Sequence, residues 1–270
     1  MNFRFSAGAF LAIFFLLSFK SSEKTEVSKD PRLLSVAWFA FSAEKEACYL
    51  QTYTLAGFRL EKTMDAMKAK GAKAAIITDL DETVLDNSAW SVKVMLEGKD
   101  YPEYWSDWEK AAKAPAFPGA VEFFQKAKTL GAEVFYISNR LEKNLGPTIQ
   151  NLKNLGLPNA DSSHILLKIS TSNKIERRNS VLKNHEIIML LGDNLADFDG
   201  IWEEKLNPED RLKAVLDHKK DFGRKFFIFP NPVYGTWKDA QLNYNRQLSP
   251  QGLDSAWTQN LIGYLKKIGF

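Results

Sequence analysis

An α/β fold is predicted for this chain of 270 residues: a parallel sheet with helices on both faces, plus a small, mainly helical cap. Three observations predict it. Five short β-rich runs alternate with segments that read as helices, the pattern a parallel sheet requires. Those segments tend to open on proline or close on glycine, as helix ends do. One aromatic-rich stretch then breaks the alternation without offering a strand. A composition of 45% apolar and 26% charged residues is ordinary for a globular protein. A chain of this size buries about three quarters of its unfolded surface, so it needs neither disulfides nor a structural metal to fold.

Arg4 precedes an unbroken small and apolar run over residues 7–19, and a polar stretch over 20–30 follows. The run is shorter than the roughly 20 residues that span a bilayer. Residues 1–20 therefore read as a signal peptide and 21–35 as an exported linker, with the main domain over 36–270. Leu16, Leu17 and Ser18 look like the end of a bacterial lipoprotein signal, but Phe19 stands where the lipid-carrying cysteine belongs. The net charge of +3 falls to +1 once Arg4 and Lys20 are removed, so no nucleic-acid polymer is implied as a partner. The single cysteine, Cys48, excludes an intramolecular disulfide and a cysteine zinc cluster.

Residues 42–70 read as one or two helices with Ala47, Leu50, Tyr53, Thr54 and Leu60 on one face, closed by Gly71. Cys48 on this helix is expected as a small core residue. The five strands are expected over 73–78, 133–138, 164–169, 186–192 and 225–229, with helices over 118–130, 142–155, 174–183 and 208–222. The stretch 86–117 holds Trp90, Tyr101, Tyr104, Trp105 and Trp108 and reads as the cap insertion over the sheet's edge. His164, His185 and His218 are isolated, and His185 is expected as a solvated strand end.

Ligands of such sheets bind at the carboxyl ends of the strands. The first strand ends in Asp79-Leu80-Asp81-Glu82-Thr83 and the second in Ser138-Asn139-Arg140; Lys174 follows the third, and the fourth ends in Gly192-Asp193-Asn194-Leu195-Ala196-Asp197. Four strands thus bring carboxylates, a hydroxyl and an ammonium to one edge, a donor set for a hard cation and an oxyanion. The chemistry that suits it is phosphoryl transfer. A carboxylate is a weak nucleophile that a phosphate dianion repels, and a divalent cation on oxygen ligands screens that repulsion. Asp79 can attack phosphorus, Asp193 and the Asp81 carbonyl can hold the cation, and the Asp81 side chain can serve as acid and then base. Ser138, the Asn139 N–H and Lys174 can bind the phosphoryl oxygens. Asp197 is expected to orient Lys174 or metal-bound water.

Rival chemistries lack their residues. Val84 and Trp90 stand where an EF-hand needs glycine and glutamate, and Thr54 stands where a cysteine phosphatase built on Cys48 needs arginine. No Arg-His-Gly, Gly-x-Ser-x-Gly or Walker loop occurs.

The segments Asp79-Leu80-Asp81-Glu82-Thr83-Val84-Leu85-Asp86-Asn87-Ser88, Ile137-Ser138-Asn139-Arg140, Lys174-Ile175-Glu176-Arg177-Arg178 and Gly192-Asp193-Asn194-Leu195-Ala196-Asp197-Phe198 resemble the motifs of the haloacid-dehalogenase superfamily. More closely, the chain resembles the bacterial class C acid phosphatases; Trp38, the helix start at Ser42-Ala43-Glu44, and Tyr234-Gly235-x-Trp237 also fit. The resemblance implies a Rossmann-like parallel sheet and a Mg²⁺-dependent, nonspecific acid phosphatase that is exported to the periplasm or outer membrane. It implies Asp79 as nucleophile, Asp81 as acid/base, Ser138, Asn139 and Lys174 on phosphate, and Asp79, the Asp81 carbonyl and Asp193 on one cation. Membrane association through the N-terminus and a homodimer are compatible with it, whereas Phe19 leaves a lipid anchor unsupported.

Trp90, Tyr104, Trp105, Trp108 and Tyr234 are candidates to stack a base or aryl ring, which points to nucleoside monophosphates or aryl phosphates as small-molecule substrates. Packing of the cap is the competing reading for each. A phosphotransferase of the same fold and an exported surface-binding scaffold with incidental hydrolysis stand as alternative functions.

Overall fold

The computed structural model describes residues 30–269, so the signal-peptide reading and most of the linker lie outside the described residues. None of the described helices is long and apolar enough to cross a membrane. The chain opens on α1 (Leu33–Phe41) and α2 (Ala43–Lys70). The Ser42 hydroxyl accepts from the Lys45 N–H, and Gly71, at φ +65°, closes α2 in the left-handed conformation that glycine adopts without a Cβ penalty. There follow β1 (Ala74–Thr78), α3 (Ser88–Leu96), α4 (Trp105–Ala111), α5 (Ala120–Leu130), β2 (Glu133–Leu141), α6 (Leu145–Asn154), β3 (Ile165–Lys168) and α7 (Ile175–Leu182). The second half of the sheet and its cover are β4 (Glu186–Gly192), α8 (Pro208–Asp217), β5 (Phe226–Ile228), α9 (Thr236–Gln241) and α10 (Pro250–Lys267).

The strands form one sheet in the order β3-β2-β1-β4-β5, every pair parallel. From β1 the chain winds outward to β2 and β3 on one side and to β4 and β5 on the other. The β1/β4 seam is therefore the switch point at which such sheets leave a crevice. Every residue of β1 is buried; Ala74 and Ile76 face one apolar cluster with Tyr53, Leu60 and Phe124, while Ala75 and Ile77 face another with Phe198 and Trp202. That two-sided burial is why β1 reads as a continuous apolar run rather than an alternating one.

The buried stripe of α2 runs through Lys45, Tyr49, Tyr53, Ala56, Leu60, Met64 and Met67, which corrects the predicted face. Ala47, Leu50 and Thr54 are exposed, and so is Cys48. The polar tips decide the rotation. The Tyr53 hydroxyl donates to the Thr83 carbonyl at 2.8 Å, the Tyr49 hydroxyl donates to the Glu82 carbonyl, and Lys45 pairs with Asp86 at 3.1 Å. Counting apolar residues alone misplaces the face because tyrosine and lysine bury their stems here. The Tyr49 ring stacks on Phe117 with centroids 3.8 Å apart.

Strand positions agree with the sequence reading to within a residue or two, except that β2 runs on to Leu141. The expected helix over 142–155 divides into a 3-10 turn, Glu142–Asn144, and α6; α8 stops at Asp217, and turns carry the chain to Gly223. Helices α1, α9 and α10 were not expected. His185 is mostly covered, with Nε2 3.2 Å from the Glu133 carboxylate and its ring against Phe135, which corrects the solvated reading.

Because the Tyr53 hydroxyl serves a buried carbonyl, Tyr53→Phe is expected to destabilise the fold by about 1–3 kcal/mol. Urea unfolding should show a lower midpoint at an unchanged slope. An unchanged midpoint would mean that the Thr83 carbonyl is served equally well by water.

Candidate active site

Thr78 ends β1, and the Asp79 N–H donates to the Leu191 carbonyl of β4 at 2.9 Å, which fixes Asp79 on the switch-point seam. The chain then turns sharply. The Val84 and Leu85 N–H groups both donate to the Leu80 carbonyl at 2.8 Å, and Glu82 sits at φ +57°, a strained conformation for a residue with a Cβ. The Tyr49 contact to the Glu82 carbonyl and the Glu82 N–H donating to the Leu85 carbonyl hold it there. This turn carries Asp79 and Asp81 to the same crevice.

Lys174 stands just before α7, and its ammonium donates to Asp79 Oδ1 at 2.7 Å and Asp197 Oδ1 at 2.6 Å. The other Asp197 oxygen accepts the Asn194 N–H at 3.0 Å, closing a reciprocal cap on the short turn Leu195–Asp197. A Cβ at Gly192 would overlap the Asp197 carboxylate, which is why glycine ends β4. Asp193 accepts from Thr83 Oγ1 at 3.3 Å and from Asn231 Nδ2 at 2.8 Å. One oxygen each from Asp79, Asp193 and Asp197 lie within 4.8 Å of one another.

Burial pushes the Asp79 carboxyl up to about 7, against the pull of Lys174 and with the help of Asp197 and Asp81. Burial likewise drives Asp193 well above the carboxylate range, with Asp197 and Asp79 adding repulsion. For Lys174, burial alone would lower the ammonium, but Asp197 and Asp79 outweigh it and the shift is upward. Three carboxylates against one ammonium leave an excess of negative charge that a divalent cation on hard oxygen ligands would balance.

Asp81 has a different setting. Arg140, on the extended end of β2, donates from Nη2 to Asp81 Oδ1 at 2.7 Å and from Nε to both oxygens at 3.0 and 3.1 Å. Ser138 Oγ donates to Oδ2 at 3.2 Å and Asn87 Nδ2 to Oδ1 at 3.0 Å. Arg177 on α7 donates to the Ser138 carbonyl at 2.6 Å and to Asn139 Oδ1 at 2.7 Å, tying the second strand end to the Lys174 loop.

A cavity of about 710 Å³ opens over these groups, and Asp79, Asp81, Ser138, Asn139, Lys174, Asp193 and Asp197 all line it. Of the aromatic candidates, Trp90, Trp105 and Tyr234 line it, and so does Tyr101; Tyr104 and Trp108 do not. Tyr104 instead packs under Lys93 and Lys99, while the Trp108 Nε1–H donates to Asn87 Oδ1 at 2.7 Å. Trp90 is itself nearly buried, meeting Trp105 edge-on at 4.8 Å and donating to the Glu103 carbonyl. Tyr234 is 39% exposed, and its hydroxyl donates to Glu82, whose carboxyl burial drives well above its usual range. Val36, Lys238 and Leu253, from the unexpected helices α1, α9 and α10, complete the wall.

The family model of HAD superfamily subfamily IIIB, acid phosphatase, matches residues 28–237. The chain belongs to this family of acid phosphatases. Two solved structures of the class C acid phosphatase from Bacillus anthracis superimpose with TM-scores of 0.79 and 0.80, the second with tungstate bound. They are 41% and 40% identical to this chain, covering 86% of it and 96% of theirs. Among curated proteins, acid phosphatase 1 of Solanum lycopersicum and vegetative storage protein 1 of Arabidopsis thaliana are each 31% identical, the matches taking 58% of this chain and 57% and 54% of those proteins. The chain thus spans somewhat over half the length of these curated relatives.

Several residues of this candidate site escaped sequence reasoning. Arg140 and Arg177 lie inside the motif segments, but the sequence does not show which carboxylate or carbonyl each one meets. Thr83 and Asn231 on Asp193, and Glu203 accepting the Lys174 N–H at 2.6 Å, carry no spacing signal at all.

Two outcomes are expected from this geometry. Gly192→Ala should displace Asp197 and with it Lys174, so divalent-cation affinity measured by calorimetry should fall while the sheet's circular dichroism is retained. The raised carboxyls of Asp79 and Asp193 bind protons more tightly folded than unfolded, so in chelator the stability they forfeit grows as pH rises from about 4 through 7. Added divalent cation should therefore raise Tm more at pH 8 than at pH 5; an equal rise at both would contradict the assignment.

Proposed function

We propose that this protein hydrolyses phosphate monoesters through a phosphoryl group carried on Asp79, with one Mg²⁺ as cofactor. The observation that carries the reading is the Lys174 ammonium held between Asp79 and Asp197 beside Asp193, in the cavity that also holds Asp81. Asp79, Asp193 and the Asp81 backbone carbonyl would hold the cation, which when bound screens the charge of the phosphate dianion.

The rest falls to the chain's own groups. Ser138 Oγ, the Asn139 N–H and Lys174 receive the phosphoryl oxygens and aim phosphorus at Asp79. An Asp79 oxygen forms the new bond to phosphorus as the bond to the ester oxygen breaks, and Asp81 supplies that oxygen with a proton. Water then attacks phosphorus, Asp81 takes its proton, and the bond to Asp79 breaks to release phosphate. Asp197 acts through Lys174, holding its ammonium against the nucleophile.

The phosphate groups hold only the phosphoryl and the metal, so leaving-group selectivity belongs to Trp105, Tyr234 and Tyr101, with Trp90 bracing Trp105. Such a wall suits nucleoside monophosphates and aryl phosphates. Export to the periplasm or outer-membrane surface is supported by the apolar run at 7–19.

A chromogenic aryl phosphate assayed at acidic pH, with Mg²⁺ and with EDTA, tests the reading; turnover should require the cation, and full activity in excess chelator would overturn it. Asp79→Asn should abolish turnover, and Asp81→Asn should slow it by about 10²- to 10⁴-fold. Stacking worth ~1–3 kcal/mol should favour aryl over glycerol phosphate by about 5- to 150-fold in kcat/KM. Trp105→Ala should shrink that preference while hydrolysis persists; a preference left intact would assign Trp105 to packing alone.

A further inference from the structure

The Arg140 side chain is fully buried at the site, 0% exposed, and its partners fall into two groups. Its fork meets both oxygens of Asp81 through Nη2 and Nε. Behind it stand two residues of α4, from the aromatic-rich insertion. The Glu109 carboxylate, 1% exposed, has Oε1 3.8 Å from Arg140 Nε, and the Trp105 ring centroid lies 5.8 Å from the guanidinium carbon. Asn144 donates to the other Glu109 oxygen. Arg140 Nη1 and Glu109 Oε1 are buried without a hydrogen-bond partner among the described residues.

A buried ion pair adds little to stability compared with apolar side chains of the same volume, so folding alone gives no reason to place an arginine here. Geometry does. A guanidinium donating to both oxygens of one carboxylate fixes the rotation of that carboxylate, which a lysine or a single hydroxyl leaves free. Ser138 and Asn87 add one donor to each oxygen but neither spans both.

We propose that Arg140, backed by Glu109 and Trp105 of the insertion, is a positioning residue that sets the Asp81 carboxylate for proton transfer to the leaving oxygen. The insertion thereby reaches the acid/base group as well as the specificity wall. The inference rests on the reading of Asp81 as acid/base. In the step concerned, the proton leaves Asp81 for the ester oxygen as the bond from that oxygen to phosphorus breaks; Arg140 exchanges no proton.

The test is leaving-group dependence, which a merely structural residue does not alter. Arg140→Lys, Glu109→Gln and Asp81→Asn are compared with the unmodified enzyme on glycerol, phenyl, 4-nitrophenyl and 2,4-dinitrophenyl phosphates. Because kcat/KM reports steps through phosphoryl transfer, a misplaced acid should cost most where the leaving oxygen most needs a proton. A displacement of ~1 Å costs on the order of 10²-fold. Arg140→Lys should therefore lose about 10- to 100-fold in kcat/KM on glycerol and phenyl phosphates and less than about 3-fold on the dinitrophenyl ester. Glu109→Gln, which keeps the shape and the arginine, should lose less in the same order; it carries the test if circular dichroism shows that Arg140→Lys fails to fold. A loss equal across all four esters, or none, overturns the inference. If Asp81→Asn is steep and the Arg140 and Glu109 variants are flat, only the positioning role falls; if Asp81→Asn is itself flat, the acid/base reading falls and takes this inference with it.

Discussion

The ammonium of Lys174 between Asp79 and Asp197 is the contact around which the crevice is arranged. Two carboxylates from different strand ends approach one another closely in a dry crevice, which like charges resist unless a cation stands between them. The lysine meets part of that requirement, and Asp193 adds a third carboxylate that it does not reach by hydrogen bond. The structure accepts this cost at the switch point of the sheet, where both faces are already packed and backbone from β1 and β4 holds each carboxylate in place. The charge excess is what makes a divalent cation the natural complement.

The turn after β1 shows how the fold sustains a strained element. Glu82 is held left-handed because the long helix α2 delivers two tyrosine hydroxyls to the carbonyls of Glu82 and Thr83. Packing of Tyr49 against Phe117 and Phe229, and of Tyr53 against Phe229, sets those hydroxyls in position. The helix that leads into β1 thus fixes the turn that carries both aspartates. On the other side, the segment after β5 closes on that turn through Tyr234 on Glu82 and on the end of β4 through Asn231 on Asp193.

The insertion is pinned at its base, where Asp86 N–H donates to the Pro115 carbonyl and Phe117 N–H to the Val84 carbonyl. From there it sends side chains in two directions: Trp90, Tyr101 and Trp105 toward the cavity, and Glu109 behind Arg140. Part of the cavity wall and the backing of Arg140 come from one short piece of chain, so a change in how α4 packs would be felt in both.

The amino-acid sequence by itself determined the alternation of strands and helices, and therefore the parallel sheet, because period and end signals are local properties of the chain. It also determined that Asp79, Asp81, Ser138, Asn139, Lys174, Asp193 and Asp197 share one edge, since a parallel sheet puts all strand ends on one side. What only the tertiary structure decided are relations between distant segments. The rotation of α2 follows from hydroxyls reaching carbonyls of a turn about 30 residues away, so Ala47, Leu50 and Cys48 point outward against their apolar character. Tyr104 and Trp108 leave the cavity while Trp105 enters it, because packing within a small insertion has no periodic signature. Arg140 and Glu109 find each other across the boundary between sheet and insertion, and a buried charge is recognisable only once its partner's position is known.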